Sequence, residues 1–263
     1  MAEAAQIRFD DGAAYEGYMG RWSQLAGDIF LDWLAPAGGQ RWIEVGCGNG
    51  AFTERLVERC APSLLQGIDP SENQLRFART RPATRQVQFQ LADAMALPFA
   101  DDEFDMAVMA LVIFFVPEPA RGVAEMVRVV RPGGTVAAYA WDILGGGFPF
   151  AAVQDEMRAL GIVPLQPPRS DASRIDALHA LWTDSGLTGV QTREIVVERT
   201  FDDFDSFWRI TQTGPNMVAR LATMTASDRQ LISDRLRARL PSDAMGRITY
   251  SARANAVKGR VPV

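Results

Sequence analysis

From Gln40 to about Asp142 the sequence alternates apolar runs with amphipathic ones, and that rhythm leaves few folds open. The apolar runs are Arg41–Val45, Leu64–Ile68, Val87–Leu91, Met106–Phe115 and Thr135–Ala140; their β-branched and apolar content predicts strands buried on both faces. Between them Ala51–Arg59, Ser71–Thr80 and Pro119–Val130 carry helical periodicity, and Pro132-Gly133-Gly134 reads as a helix stop and turn. Strand–helix–strand units of this length close only as a parallel, doubly wound sheet with right-handed crossovers. Beyond Asp142 the texture changes to a glycine loop at 145–147, a helix at Phe150–Leu160, a proline-rich connector to Pro168 and a helix at Ser173–Ser185. An alternating strand at Val190–Glu198, a mostly helical insert from Phe201 to about Leu240 and a last strand at Arg247–Val257 follow. The expected fold is therefore α/β: a Rossmann-like sheet of seven strands, mostly parallel with an antiparallel last strand, plus a helical lid insert. One domain over 1–263 is expected, with a helical cap at 1–39, a core at 40–142, sheet completion at 143–200, the insert at 201–243 and the last strand at 244–263.

The most informative segment is Arg41-Trp-Ile-Glu-Val-Gly-Cys-Gly-Asn-Gly50, a strand running through a glycine turn into a helix. Glycine permits positive φ and lets a backbone approach a ligand where a Cβ would clash. A dinucleotide fingerprint spaces its glycines G-x-G-x-x-G, with a pyrophosphate on the helix N-terminus. Here the third glycine comes one residue early, and Glu44 stands two before Gly46. A carboxylate there repels a pyrophosphate and suits a ligand bearing an amino group. Asp69 ends the second strand, 23 positions after Gly46, where its carboxylate can accept from both hydroxyls of a ribose. Asp93 ends the third strand, placed to accept from the exocyclic amine of an adenine. Three strand-end acids around a glycine turn describe a pocket for an adenosine that carries an amino acid, S-adenosylmethionine.

At these residues the chain resembles a known family. The runs E-V-G-C-G-N-G at 44–50, G-I-D-P-S at 67–71, L-A-D-A-M-A-L-P-F-A-D-D-E-F-D at 91–105 and R-V-V-R-P-G-G-T at 128–135 are similar to the class I S-adenosylmethionine-dependent methyltransferases. Within that class they look like the type 11 group, which includes the quinone-biosynthesis C-methyltransferases. The resemblance implies that Glu44, Gly46, Cys47 and Gly48 hold the methionine end of the cofactor, Asp69 and Pro70 the ribose and adenine edge, and Asp93 with Ala94 the adenine amine. It further implies that Ala110 and Leu111 touch the methionine moiety, and that Tyr15, Met19 and Arg21 fold over the cofactor, with Arg21 able to pair with its carboxylate. Many relatives carry histidine near the position of Phe114, so one candidate base is missing here.

Scarce residues limit the chemistry further. One histidine (His179), one lysine (Lys258) and two cysteines (Cys47 and Cys60) supply no four-ligand zinc site, and no metal is expected. Leu178, Leu181 and Trp182 mark a helical face beside His179, which reads as structural or superficial rather than as part of a hydrolytic triad. Cys47 reads as a small loop filler. Methyl transfer from a sulfonium asks mainly for alignment in a dry site, worth roughly 7–11 kcal/mol in well-oriented cases. Where the acceptor must lose a proton, Asp142 and Tyr18 are the candidate bases, although Asp142 can equally cap the turn after its strand and Tyr18 can belong to a helix stripe. Trp141, Phe148, Phe207 and Trp208 would wall a pocket for a small-molecule acceptor.

Two rival readings remain at this stage, a non-catalytic S-adenosylmethionine-binding regulatory module and an NAD-dependent oxidoreductase; the glycine spacing disfavours the second. With 27 basic against 32 acidic residues and no basic block, no nucleic-acid partner is expected. The longest apolar run, Met106 to Val116, is eleven residues against the roughly 20 needed to span a bilayer, so no membrane partner is expected. The absence of an apolar leader and of a disulfide framework points to the cytoplasm, as a monomer or homodimer.

Overall fold

In the computed structural model, which describes residues 16–263, seven strands form one sheet in the order β3-β2-β1-β4-β5-β7-β6. These are β1 (Arg41–Val45), β2 (Leu64–Asp69), β3 (Gln88–Leu91), β4 (Phe104–Ala110), β5 (Val130–Trp141), β6 (Thr188–Phe201) and β7 (Ile248–Arg260). The first five pair in parallel, and β7 runs antiparallel to both its neighbours, β5 and β6. The helices are α1 (Arg21–Leu34), α2 (Ala51–Cys60), α3 (Glu72–Ala78), α4 (Pro119–Val129), α5 (Ala151–Ala159) and α6 (Ile175–Asp184). Three more, α7 (Phe204–Thr211), α8 (Pro215–Thr223) and α9 (Ala226–Arg239), lie between β6 and β7, where a helical insert is expected. Strand order reverses between β1 and β4, and at such a switch point the crevice outside the carboxyl ends of the strands is where doubly wound sheets bind ligands.

Side-chain spacing explains how the helices dock. Phe52, Leu56 and Cys60 recur every fourth residue of α2 and are buried, while Glu58 and Arg59 face outward. Tyr139, near the C-terminal end of β5, is fully buried between Phe30 of α1 at 4.8 Å and Phe52 of α2 at 5.6 Å, ring centre to ring centre. On the same strand the Val136 carbonyl accepts from the Trp182 indole N–H of α6 at 2.9 Å. Lys258 donates from Nζ to the Trp33 carbonyl at 2.9 Å and sits over that indole, which places its charge at the C-terminal end of α1, where the helix dipole favours a cation. His179 is exposed on α6.

The largest departures from the expected element boundaries are at the end of β4 and the start of β5; β6 and β7 are also longer than expected, by up to three residues at an end. β4 ends at Ala110 rather than Phe115, because Leu111 adopts a left-handed φ of 62° and turns its N–H onto the Tyr139 carbonyl at 2.7 Å; Ile113–Phe115 is then a short 3₁₀ turn. β5 begins at Val130, so Pro132-Gly133-Gly134 lies inside the strand rather than in a turn. The register shift between Phe104 and Met106 absorbs the extra residues, and Gly134 fits there because a Cβ would stand 2.6 Å from the Asp105 carbonyl. Among the described residues no helix is long and apolar enough to cross a membrane.

Candidate functional site

The loop after β1 is shaped by glycines at φ +79° (Gly46), +52° (Gly48) and +80° (Gly50). At Gly46 a side chain is excluded twice, by that φ and because a Cβ would lie 2.5 Å from Val112 Cγ2. The N–H groups of Gly46 and Cys47 both donate to the Ile68 carbonyl at 2.8 Å, stitching the loop to the end of β2. Gly48 N–H then donates to Asp69 Oδ2 and Ser71 N–H to Oδ1, each at 2.9 Å. An ionised carboxylate has about four lone-pair directions, so two remain for a ligand diol. Burial pushes the Asp69 carboxyl up, and the two backbone N–H groups oppose that shift by favouring the charged form.

Glu44 lies behind the loop, 1% exposed, accepting from Thr53 Oγ1 at 2.6 Å. Burial pushes its carboxyl up to about 8; the Thr53 hydrogen bond opposes this, Asp69 adds to it, and Arg81 opposes it. Cys47 is buried too, and burial with the nearby Glu44 and Asp69 raises its thiol, which stays protonated near neutrality. Asp93 is exposed after β3, with Oδ1 accepting from Met95 N–H at 2.8 Å. Pro70 is exposed, Ala94 and Ala110 are half-buried, and Leu111 is buried at the turn that ends β4. The glycine loop, Asp69 and Leu111 thus share the carboxyl edge of β1, β2 and β4.

Arg81 was not singled out by sequence, and it holds the loop's far side. Its Nε donates to the Asn49 carbonyl at 2.7 Å, one terminal nitrogen pairs with Glu54 at 3.0 Å, and the other pairs with Glu16. Asn49 also donates from Nδ2 to Glu16 at 3.0 Å, so the wide turn Glu16–Gly20 before α1 is tied directly to the loop. Tyr15, expected beside it, lies outside the described residues.

An aromatic group gathers on the other side. Tyr18 stacks on Phe150 at 4.5 Å, and Gly214 packs against the Tyr18 ring where any Cβ would collide. Phe150 also meets Trp22 at 6.5 Å, Phe148 at 6.1 Å and Phe207 at 6.2 Å. Met19 is buried in the same core as Tyr18 and Trp22. Phe150 is the hub, and reading the sequence passed it over. Trp208 is half-buried and joins none of these ring pairs. Trp141 closes β5 with its indole buried and its N–H without a partner among the described residues.

Asp142 follows Trp141 and is taken up by structure. Its Oδ2 accepts from Arg253 Nη2 at 2.6 Å and Nε at 3.1 Å, and Oδ1 accepts from Gly145 N–H at 3.0 Å. The carboxylate staples the 142–147 loop to β7, the capping alternative, with three of its four lone-pair directions taken and its charge held by Arg253. Arg21 is exposed, and the charged group beside it is Arg199.

A doubly wound sheet with a Cβ-excluding glycine loop clamped to a strand-end carboxylate defines the class of nucleoside-cofactor α/β folds. Residues 43–138 match the family described as a methyltransferase domain, and the resemblance over that span is to the type 11 group of class I methyltransferases. It is 36% identical over 173 residues to the uncharacterized protein Rv1405c of Mycobacterium tuberculosis, covering 64% of this chain and 62% of that one. It is 36% identical over 111 residues to the ubiquinone/menaquinone biosynthesis C-methyltransferase UbiE of Roseobacter denitrificans, covering 41% of this chain and 44% of the relative. The chain thus spans about half to two thirds of the length of these relatives. The fold resembles that of Haemonchus contortus phosphoethanolamine N-methyltransferase 2 in complex with phosphomonomethylethanolamine and S-adenosylhomocysteine. The TM-score is 0.58 at 16% identity, over 96% of this chain and 57% of that one.

Proposed function

We propose that the chain is an S-adenosylmethionine-dependent methyltransferase that methylates an O, N or C atom of a small-molecule acceptor. The observation that carries the reading is the clamp between Gly48 and Asp69: it fixes a glycine loop with no room for a Cβ at Gly46 beside a carboxylate with two lone-pair directions to spare. Those residues fit a ribose next to an amino-acid tail. Asp69 would take the ribose hydroxyls with Pro70 beside them, Asp93 and Ala94 the adenine amine, and the Gly46–Gly48 backbone with Glu44, Ala110 and Leu111 the methionine end.

When bound, S-adenosylmethionine supplies a methyl already activated on a sulfonium, with a neutral leaving group. The chain's own task is then to align the acceptor and keep water out. The Tyr18, Phe150 and Phe207 rings supply the dry wall, with Trp141 contributing an indole N–H and Phe148 its rim. Tyr18, packed face to face on Phe150, serves as wall, and Asp142 serves as loop staple, so no base is assigned to this chain.

Calorimetry with S-adenosylmethionine on the wild type and on Asp69→Ala tests the reading. Each hydrogen bond to a charged group is worth roughly 1.5–3 kcal/mol, so the loss of two predicts an affinity at least 100-fold weaker. Equal affinity in the two proteins, or binding of NAD(H) in place of S-adenosylmethionine, sinks it.

A further inference from the structure

Because β7 is antiparallel to both β5 and β6, β6 runs parallel to β5 and its end opens onto the same edge as Asp69 and Trp141. Arg199 stands two residues before that end. Its guanidinium lies 4.7 Å from the Phe201 ring, and its Nη1 is buried without a hydrogen-bond partner among the described residues. Phe201 touches Trp22 at 6.4 Å, and Arg21 precedes Trp22 at the start of α1. Among the described residues neither arginine takes part in an ion pair, although every ion pair among those residues uses an arginine. The charge that reaches Arg199 is Arg21 itself, and burial with that repulsion lowers its pKa. A partly desolvated guanidinium set against another guanidinium is unfavourable until an anion joins them.

We propose that Arg199 and Arg21 form an oxyanion-recognition site for the methyl acceptor, which therefore carries a carboxylate or a phosphate. The inference rests on the methyltransferase reading above. Position assigns the site to the acceptor rather than to the cofactor. β6 is three strands out from β4 and four from β1, about 14 and 19 Å at the usual strand spacing, beyond the reach of an arginine from the glycine loop. The Phe201 ring lies 4.7 Å from the guanidinium carbon and supports its charge, and the planar N–H fork of a guanidinium matches carboxylate or phosphate oxygens. Arg21, exposed at the start of α1, supplies the second positive charge.

The test titrates inorganic phosphate, phenyl phosphate and benzoate into the full chain at ionic strength matched with sodium chloride, reading melting temperature and heat. The wild type should show saturable stabilisation by at least one anion, beyond the chloride control. Whichever of phenyl phosphate and benzoate binds more tightly names the oxyanion. Arg199→Met should bind that anion at least tenfold more weakly, and without anion it should melt no lower than the wild type, since an unpaired buried charge has gone. Arg199→Lys, which keeps the charge and loses the fork, and Arg21→Gln, on the surface, should each weaken binding at least threefold. Identical responses of wild type and variants, or no anion effect beyond chloride, overturn the proposal. S-adenosylhomocysteine is titrated into the same samples: its failure to bind the wild type strikes the methyltransferase reading, whereas cofactor binding with no anion response strikes this proposal alone.

Discussion

Asp69 ends β2 and Asp142 follows β5 at the same edge of the sheet, both are largely buried, and both accept hydrogen bonds through each oxygen. Their surroundings part them. Asp69 is held by two backbone N–H groups that leave half its lone pairs and all of its charge unspent, whereas Asp142 faces an arginine fork that neutralises it and takes one oxygen twice. The proposed cofactor side of the molecule is thus built from backbone and unpaired acid, and the proposed acceptor side from stacked rings and an ion pair whose arginine stays partly solvated. What a strand-end carboxylate can do is set by what its oxygens already hold.

The sharpest way to break the comparison is at the glycines. Gly46→Val forces a β-branched residue to φ +79° with its Cβ 2.5 Å from Val112, and we expect a loss of more than about 4 kcal/mol, read by chemical denaturation. On the acceptor side Gly146 has nearly the same φ, +77°, with nothing within 4 Å of a new Cβ. A cost there as large as at Gly46 would show that backbone strain, rather than the close approach to Val112, shapes the cofactor loop.

The next effect is electrostatic. Glu44 holds its proton to about pH 8 in the folded protein against 4.5 for the free side chain. The native state therefore binds the extra proton between those values, and stability contributed by the neutral acid is present below 4.5 and lost as pH rises through 8. That amounts to a decline on the order of 5 kcal/mol across the window. Glu44→Gln should flatten the slope of unfolding free energy against pH, and an unchanged slope would place the titration elsewhere. Phe150→Ala follows, removing the ring on which Tyr18, Trp22 and Phe207 converge, at about 3–5 kcal/mol by denaturation. A loss below 1 kcal/mol would show that the rings do not depend on their hub. Asp142→Asn should cost less, about 1–3 kcal/mol, because Arg253 remains partly solvated. Gly146→Ala is the smallest, about 1 kcal/mol or a little more from strain alone.

The two sides also differ in how far they could be read from sequence. Gly46, Gly48 and Gly50 announce their loop because positive φ is a local demand, and Asp69 lies in register because β2 pairs residue by residue with β1. The seven-stranded, mostly parallel sheet with its antiparallel last strand was expected from the order of apolar and amphipathic segments, whereas the order of the strands across the sheet came from the structure. Arg81 and Glu16 meet across 65 residues with nothing local to mark either, one arginine among many. Phe150 becomes a hub only once the Glu16–Gly20 turn, α1, α7 and the loop before α5 converge, and Arg199 stands out only when its lack of a carboxylate partner can be seen. Local backbone demands are legible in a sequence, while clusters drawn from distant elements are not, because each contributor alone looks like ordinary core or surface.

Titration of S-adenosylhomocysteine into Asp69→Asn and Asp142→Asn tests the division of labour most directly. The same chemical change is made at two carboxylates of the same edge. The account predicts at least a tenfold loss of affinity in Asp69→Asn and an affinity within twofold of wild type in Asp142→Asn. Equal losses in both, or the larger loss at Asp142, would contradict it.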